Sequence, residues 1–305
     1  MLRAPIGNRK VGIYEMDTDC FGETEFKRKL SLMFFYPSDE EGEAYPYKDA
    51  TYQKETLVSQ PHDNGVITYC HKKVTLSNKQ EKYPVVLYSH GLMGYQMEST
   101  VLCADLASSG YIVISVGHPY GSGAVTYIDG TMFTPDKAFH LDQHNLEPLG
   151  ELWYEDIRQA ITFIQQLDKM ENDCMFSKRM NLENGVNLLG VSFGGCCSIG
   201  AALMEKDVRC AINLDGGLFT RLESIYTNKP ILVLCSPFNY KAHTKLKSMK
   251  CENVRIQKCR KVSHWEFSDG VYFSERGKND RKWADSVSKQ RAQVCLSFLE
   301  GGVYV

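Results

Sequence analysis

The stretch VNLLGVSFGGCCSIGAALM, residues 186–204, decides the fold. Its first four residues are apolar or amide side chains that predict a buried strand, and residues 196–204 are compatible with a helix. Between them, Gly190-Val191-Ser192-Phe193-Gly194 has the spacing G-x-S-x-G. In a strand–turn–helix context this spacing predicts a sharp turn that presents a serine hydroxyl at the start of a helix. Ser192 is therefore the candidate nucleophile.

Short apolar runs flank this stretch and predict further buried strands. Because they are almost continuously apolar, they are typical of strands covered on both faces, as in a parallel sheet. Apolar residues at helical spacing lie between and after them, from Trp153 to Leu167 and from Trp283 to Leu299. The alternation predicts an α/β fold, a mostly parallel doubly wound sheet with helices on both faces and its site at the carboxyl ends of the strands. The runs are residues 85–88, 111–116, 186–189, 210–214 and 231–234.

The N-terminal third has a different pattern. Residues 29–36, 66–69 and 74–76 predict antiparallel strands, and residues 37–64 predict a surface excursion. Neither a repeat nor a long Pro/Gly/Ser linker is found, so the sequence predicts one α/β domain over residues 1–305.

An acid and a base follow the serine in the order that such a fold uses, Ser, then Asp or Glu, then His. Asp215 directly follows the run 210–214, whereas no carboxylate directly follows the next run, 231–234. Of the two histidines beyond Asp215, His243 lies in a polar stretch typical of a surface helix, and His264 follows the predicted strand 254–257. We therefore expect Ser192, Asp215 and His264 to form a catalytic triad.

An oxyanion hole needs two backbone N–H groups. Phe193, directly after the serine, and Leu92, in the sequence His90-Gly91-Leu92 after the strand 85–88, are the candidates. His90 is better explained as a residue that holds this loop by a hydrogen bond than as the base.

Composition and charge exclude several other functions. The chain has 305 residues with 35 Lys plus Arg and 37 Asp plus Glu, so the formal charge is 35 − 37 = −2, and no basic excess points to nucleic acid. Gly185 to Met204 is uncharged over 20 residues, but its five glycines argue against a transmembrane helix. The N-terminus shows no signal peptide and the 11 cysteines lack a C-x-x-C pair, so the sequence predicts a cytoplasmic protein.

The motifs that could indicate a metal or a cofactor are incomplete. His140 and His144 are four residues apart but have no clear third ligand. Gly121-Ser122-Gly123 lacks the third glycine of a dinucleotide turn. We expect no metal and no cofactor.

Together these motifs resemble the platelet-activating factor acetylhydrolase family of α/β-hydrolases, from about Pro84 to His264. The resemblance implies the α/β-hydrolase fold and a calcium-independent serine esterase that removes short acyl groups from phospholipid-like esters. It also implies Ser192, Asp215 and His264 as the triad, with Leu92 and Phe193 as the oxyanion donors. The resemblance lies in His90-Gly91-Leu92, Gly117-His118-Pro119, Ser192-Phe193-Gly194-Gly195, Asn213-Leu214-Asp215 and Val262-Ser263-His264.

The leading hypothesis is thus a carboxylesterase that acts on a small-molecule or lipid ester, which leaves room for transient contact with a membrane surface. The alternatives are an acyltransferase or peptidase on the same fold, or a non-catalytic binding protein. We further expect a short acyl pocket closed by bulky side chains between residues 114 and 153, namely Tyr120, Tyr127, Phe133, Phe139 and Leu146.

Overall fold

A computed structural model gives the fold. It describes residues 2–19, 28–52, 59–133, 146–171, 174–217, 227–240 and 253–301, and for residues 48–52 and 59–64 it describes the backbone only.

Eleven strands within these residues form one mixed sheet. Along the path β13-β12-β11-β10-β5-β6 neighbouring strands are parallel; β2, β1, β4 and β3 continue the sheet from β6, and the short β9 pairs with β5. Two further short strands, β7 (Val125–Thr126) and β8 (Met132–Phe133), pair with each other. The strands of the sheet are β1 (Lys10–Asp17), β2 (Ser31–Ser38), β3 (Glu43–Tyr52), β4 (Ser59–Lys72), β5 (Tyr83–Ser89), β6 (Ile112–Gly117), β9 (Met180–Asn181), β10 (Val186–Val191), β11 (Val208–Leu214), β12 (Ile231–Cys235) and β13 (Val254–Lys258).

Helices cover both faces of the sheet. Strand β5 shows how this arises: Val86 and Tyr88 point into the apolar layer shared with α1 and α6, and Val85 and Leu87 into the layer shared with α2 and α3. Because both faces are buried, the strand is apolar at successive positions rather than alternating. The helices are α1 (Thr100–Ser108), α2 (Glu147–Lys169), α3 (Ser192–Met204), a 3₁₀ turn (His264–Phe267), α4 (Gly270–Phe273), α5 (Glu275–Asn279) and α6 (Arg281–Leu299).

The predicted parallel core is therefore confirmed, and the uncharged stretch that begins at Gly185 becomes β10 and α3. Within the described part of the chain, no helix combines the length and the apolar character that crossing a membrane requires.

The N-terminal predictions were partly wrong. Residues 37–64 are not one surface excursion, since they contain β3 and the start of β4, which pair antiparallel. Residues 74–76 form no strand: the Val74 carbonyl accepts a hydrogen bond from the Tyr36 hydroxyl at 2.7 Å, and the Thr75 N–H donates to Glu40 at 3.0 Å. These residues cross the end of β2 instead of joining the sheet.

Candidate active site

Three adjacent strands end side by side at one edge of the sheet. In the pairing register, Ser89 of β5 lies opposite Gly190 of β10, and Gly190 lies opposite Asn213 of β11. The loop after β5, the turn after β10 and Asp215 after β11 therefore begin at the same level. This edge is the carboxyl end of the parallel strands, where the sequence predicted the site.

The turn after β10 holds Ser192 in a strained conformation. Its φ is 53°, in the left-handed region that non-glycine residues rarely occupy. Helix α3 begins at Ser192 itself, and Cβ atoms on Gly190 or Gly194 would overlap neighbouring backbone, that of Gly194 and of Ser89 and His90 respectively. The glycines are thus required by the close approach of strand, turn and helix.

Asp215 is fixed from several sides. It is fully buried with φ 57°, and its backbone N–H donates to the Leu234 carbonyl at 2.7 Å. Its Oδ1 accepts the Ser236 N–H at 2.6 Å, and its Oδ2 lies 2.8 Å from His264 Nδ1. The carboxylate therefore presents one oxygen to the imidazole, while the backbone N–H of the residue directly after β12 holds the other.

His264 completes the chain of side chains. Its Nε2 lies 2.9 Å from Ser192 Oγ. With a carboxylate at Nδ1, the neutral ring carries its proton there and leaves Nε2 as an acceptor for the serine hydroxyl. A capping box between Ser263 and Glu266 holds the 3₁₀ turn that begins at His264, with Ser263 N–H donating to Glu266 Oε2 at 2.6 Å. The structure brings Ser192, Asp215 and His264 together; their catalytic roles stay predictions.

The candidate oxyanion donors lie on either side of the serine. Phe193 follows it in the first turn of α3, with its ring 4.9 Å from that of Trp153. Leu92 is held in a loop that hydrogen bonds fix at both ends: Met93 N–H donates to Gly121 O at 2.6 Å and Gly123 N–H to Gly94 O at 2.9 Å. The strand register brings this loop to the serine, and a Cβ on Gly91 would lie 3.3 Å from that of Ser192.

His90 lies behind this loop, away from the serine. It is fully buried, with Nε2 2.8 Å from Ser122 Oγ and its ring 5.0 Å from that of Trp153. Burial lowers its pKa to about 3, so the ring stays neutral. Its contacts are those of a residue that supports the loop, as the sequence suggested.

Two pockets meet at Ser192 and His264. The larger, about 690 Å³, extends past the loop that carries Leu92. The smaller, about 530 Å³, lies toward Asp215 and Phe238. A substrate can therefore extend in two directions from the serine.

The predicted acyl-pocket wall was wrong in its described part. Tyr120, Tyr127, Phe133 and Leu146 line neither of the two pockets; the rings of Tyr120 and Phe133 instead pack on each other at 5.2 Å. Phe139, His140, His144 and His243 lie outside the described residues. The larger pocket is lined instead by aromatic residues distant in sequence and by one carboxylate, that is, Tyr47, Tyr95, Trp265, Phe273 and Glu98.

Sequence reasoning missed Glu98, although one signal was available. Glu98 is the only Asp, Glu, Lys or Arg between Lys82 and Asp105. A lone charge in a buried segment beside a predicted oxyanion loop is a functional candidate, because such charges are rarely buried without a partner.

As for metals, the described residues contain no group of three His, Cys, Asp or Glu side chains placed to hold an ion.

An α/β-hydrolase is defined by the order of the strands, the sharp turn at Ser192 and the residues gathered at the carboxyl ends of the strands. Solved structures agree with the fold: a ferulic acid esterase from Streptomyces cinnamoneus superposes with a TM-score of 0.73 at 19% identity, covering 99% of this chain and 92% of that one. A dienelactone hydrolase from Anabaena variabilis gives a TM-score of 0.53 at 12% identity, covering 93% and 96%.

Within this class, the chain belongs to the family "Platelet-activating factor acetylhydrolase, isoform II", whose pattern it matches over residues 51–268. The platelet-activating factor acetylhydrolase of Bos taurus is 24% identical over 72% of this chain, and that of Canis lupus familiaris 25% identical over 98%. The match spans 57% of the bovine protein's length and 77% of the dog protein's.

Proposed function

We propose that this protein is a serine carboxylesterase that hydrolyses short-acyl esters, with residues 1–305 acting as one catalytic domain. The observation that carries the proposal is the continuous path from Asp215 Oδ2 through His264 to Ser192 Oγ, with separations of 2.8 and 2.9 Å. It lies at the carboxyl edge of the sheet and opens into two pockets. This is the arrangement that makes a serine hydroxyl nucleophilic at neutral pH.

In the proposed reaction, His264 Nε2 takes the Ser192 proton as Oγ attacks the ester carbonyl carbon. Asp215 holds the imidazole in the required tautomer and stabilises the imidazolium that forms. The tetrahedral oxyanion accepts hydrogen bonds from the backbone N–H groups of Leu92 and Phe193. The imidazolium then protonates the departing alcohol, leaving an acyl-enzyme. Water attacks this intermediate with His264 again as the base.

The electrostatic setting supports this chemistry. Ser192 begins α3, so the positive end of the helix dipole lies where negative charge develops on the oxyanion. The His264 side chain is 44% exposed, which lets water reach the acyl-enzyme, whereas Asp215 is fully buried and kept away from solvent. His264 is thus the group that solvent reaches, and the buried Asp215 is the group that orients it.

The substrate class is proposed from family membership together with the pockets. The matched relatives are named acetylhydrolases, and one from Arthroderma benhamiae is named a probable 1-alkyl-2-acetylglycerophosphocholine esterase. We propose a short acyl group, including the sn-2 acetyl group of a phospholipid. One pocket then takes the acyl part and the other the alcohol part of the ester.

A panel of p-nitrophenyl esters of increasing chain length tests this proposal. Each CH₂ that a pocket buries contributes about 0.8 kcal/mol, so an open groove would make kcat/KM rise steadily with length. We expect a maximum at roughly two to six carbons, then a fall. A rise that continues to dodecanoate would reject the short-acyl specificity, and no turnover of any ester would reject the esterase. A phosphatidylcholine with a short sn-2 chain tests the phospholipid substrate in the same assay.

A further inference from the structure

A third cavity, of about 340 Å³, lies between α6 and residues 257–262, which run from β13 toward the turn at His264. Of the residues that line this cavity, the α6 pocket, only Val262 also lines one of the two pockets at Ser192. The α6 pocket is therefore separate from the candidate active site. At about 30 Å³ for a water-sized group, it has room for a ligand of roughly ten non-hydrogen atoms.

Arg291 of α6 lines this pocket as a buried guanidinium, with only 6% of the residue exposed. Its Nη1 donates to the carbonyls of Glu266 at 2.9 Å and Ser268 at 3.2 Å. Its Nε and Nη2 have no hydrogen-bond partner among the described residues. Two donors of a buried cation are thus unsatisfied, although leaving charged donors unpaired in the interior is costly.

The charge of Arg291 also lacks a counter-ion. Within the part of the chain that the structure describes, no ion pair within 4 Å includes Arg291. Two buried carboxyl groups interact with its charge from farther away, and each has a partner of its own. Asp105 pairs with Arg3, and Asp269 accepts the Val101 N–H at 3.1 Å. A desolvated guanidinium is stabilised when an anion joins it, so the pocket favours a negatively charged group.

The exposed part of the lining adds more positive charge. Lys258 and Arg260 are both exposed lining residues. Among the lining residues that the structure describes, the only carboxylate is Glu266, and its Oε2 already accepts the Ser263 N–H at 2.6 Å. Three cations therefore stand against one carboxylate, which attracts an anion to the mouth of the pocket and favours its binding inside.

The remaining wall of the α6 pocket is apolar. Leu234 and Phe267 are buried, and three valines beside them are partly buried. A free inorganic anion would leave this wall uncovered, whereas a short hydrocarbon chain would cover it and remove apolar surface from water. The valines are Val262, Val287 and Val294.

We propose that the α6 pocket binds a small amphipathic anion, a carboxylate or a phosphate monoester that carries a short alkyl chain. Arg291 is the counter-ion of the head group, Lys258 and Arg260 attract it at the mouth, and the apolar wall takes the chain. Because Arg291 also donates to two carbonyls at the end of the His264 turn, the ligand is linked through it to that turn. Binding at this site needs no chemistry at Ser192 and does not rest on the proposed function.

Protection of Cys259 from alkylation tests binding at this site alone. Cys259 lines the pocket and is partly exposed, and burial raises its pKa to about 11, so iodoacetamide is used near pH 9 with mapping of the modified peptides. We expect hexanoate or hexyl phosphate to slow modification of Cys259 at least threefold, and the stronger of the two identifies the head group. Cys174, partly exposed and outside this lining, should react at an unchanged rate.

Two further compounds separate the contributions of charge and chain. Hexan-1-ol has the chain without the charge, and inorganic phosphate has the charge without the chain, so each should protect Cys259 much less. Equal protection by hexan-1-ol would overturn the anion site, and equal protection by inorganic phosphate would overturn the amphipathic ligand. Failure of both hexanoate and hexyl phosphate to protect would reject the proposal altogether.

Arg260→Glu reverses one charge at an exposed position, where folding is not at risk. The hexanoate concentration that halves the alkylation rate of Cys259, relative to the same variant without ligand, should rise roughly tenfold. Lys289→Glu is the matched control, since it makes the same change at an exposed position of α6 outside the lining and should keep the wild-type value. Equal shifts in the two variants would show a general effect of net charge and sink the site.

Arg291→Met removes the proposed counter-ion, and we expect it to abolish protection of Cys259 in protein whose urea unfolding remains cooperative. Arg291→Lys keeps the charge and should keep most of the protection. Undiminished protection in Arg291→Met and Arg260→Glu would show that the anion binds elsewhere. Ser192→Ala should be protected like the wild type, so the result stands or falls separately from the esterase proposal.

Discussion

Two residues of the candidate site, Ser192 and Asp215, have left-handed backbones, with φ values of 53° and 57°. Such conformations cost about 1–3 kcal/mol each and persist only where the surroundings fix them. Each residue is the first after a parallel strand, where the chain must leave the sheet at once. The strain thus has a geometric result: it turns both side chains toward the imidazole instead of into the sheet.

Replacing Ser192 by alanine removes the proposed nucleophile while leaving the backbone turn in place. We expect kcat for p-nitrophenyl acetate to fall by about 10³-fold or more, with residual rate from the oxyanion hole alone. The measurement is steady-state hydrolysis, together with labelling by an organophosphonate, which should modify the wild type once per chain and the variant not at all.

Ser198→Ala is a matched control for this loss, since Ser198 lies in the same helix and its hydroxyl donates to the Gly194 carbonyl at 2.8 Å. It should keep activity within a few-fold of wild type. Ser192→Ala activity within tenfold of wild type, in protein free of contaminating esterases, would remove Ser192 from the mechanism.

At the scale of elements, the contact between β5 and the start of α3 sets the spacing of the site. Gly194 lies so close to the carbonyls of Ser89 and His90 that a methyl group cannot be inserted without moving one element. These carbonyls directly precede the loop with Leu92. The helix that positions Ser192, the proposed nucleophile, thus packs directly on the start of the proposed oxyanion loop.

Gly194→Ala is therefore expected to damage activity more than stability. Overpacking costs about 1–3 kcal/mol of the free energy of unfolding, and a displacement near 1 Å at the reacting atoms costs roughly 10²-fold in kcat. Urea unfolding and p-nitrophenyl acetate kinetics measure the two effects. Gly130→Ala is the control: it has open space but a φ of +81°, so it should lose about 1 kcal/mol of stability and no activity. Equal activity losses in the two variants would contradict the packing argument.

The elements that could be predicted from the sequence are those whose residue pattern has a single structural explanation. Continuous apolar runs such as residues 85–88 identify strands buried on both faces, and the order of Ser192, Asp215 and His264 matches the order of the strand ends. Strand β3 was missed because its charged residues and Pro46 are typical of a loop, and pairing with β4 overrides that local preference.

The pocket wall could not be predicted because its residues meet only in the folded chain. Tyr47 comes from β3, Tyr95 from the loop after β5 and Phe273 from α4. Local aromatic content favoured residues 120–146 instead. In the described part of that range, the Tyr120 ring packs on Phe133 and the Tyr120 carbonyl accepts the Trp153 indole N–H of α2. Periodicity reports which face of an element is buried, but it carries no information about which distant element covers it.

At the scale of the whole molecule, Asp269 joins the two halves of the site. It is fully buried just after the turn that carries His264, and its carboxylate accepts the Val101 N–H of α1 at 3.1 Å. Its own N–H donates to the Glu98 carbonyl at 2.8 Å. His264, the proposed base, follows the last strand of the sheet and is thereby tied to the segment that supports the proposed oxyanion loop.

Asp269→Asn tests how this buried carboxyl couples folding to pH. Burial raises its pKa from 3.8 to about 7, although Arg291 and the Val101 N–H oppose the shift. Between about pH 4 and pH 7 the unfolded chain releases this proton while the folded protein keeps it, so rising pH favours unfolding; above about pH 7 the contribution changes no further. Asparagine has no proton to release, so the stability of the variant relative to wild type should rise by about 1–3 kcal/mol across this window. Subtracting the two proteins cancels the other titrating groups. Urea unfolding at about pH 4.5, 6 and 7.5 measures the difference, and a difference that is constant or falls with pH would show that Asp269 is ionised in the folded protein throughout.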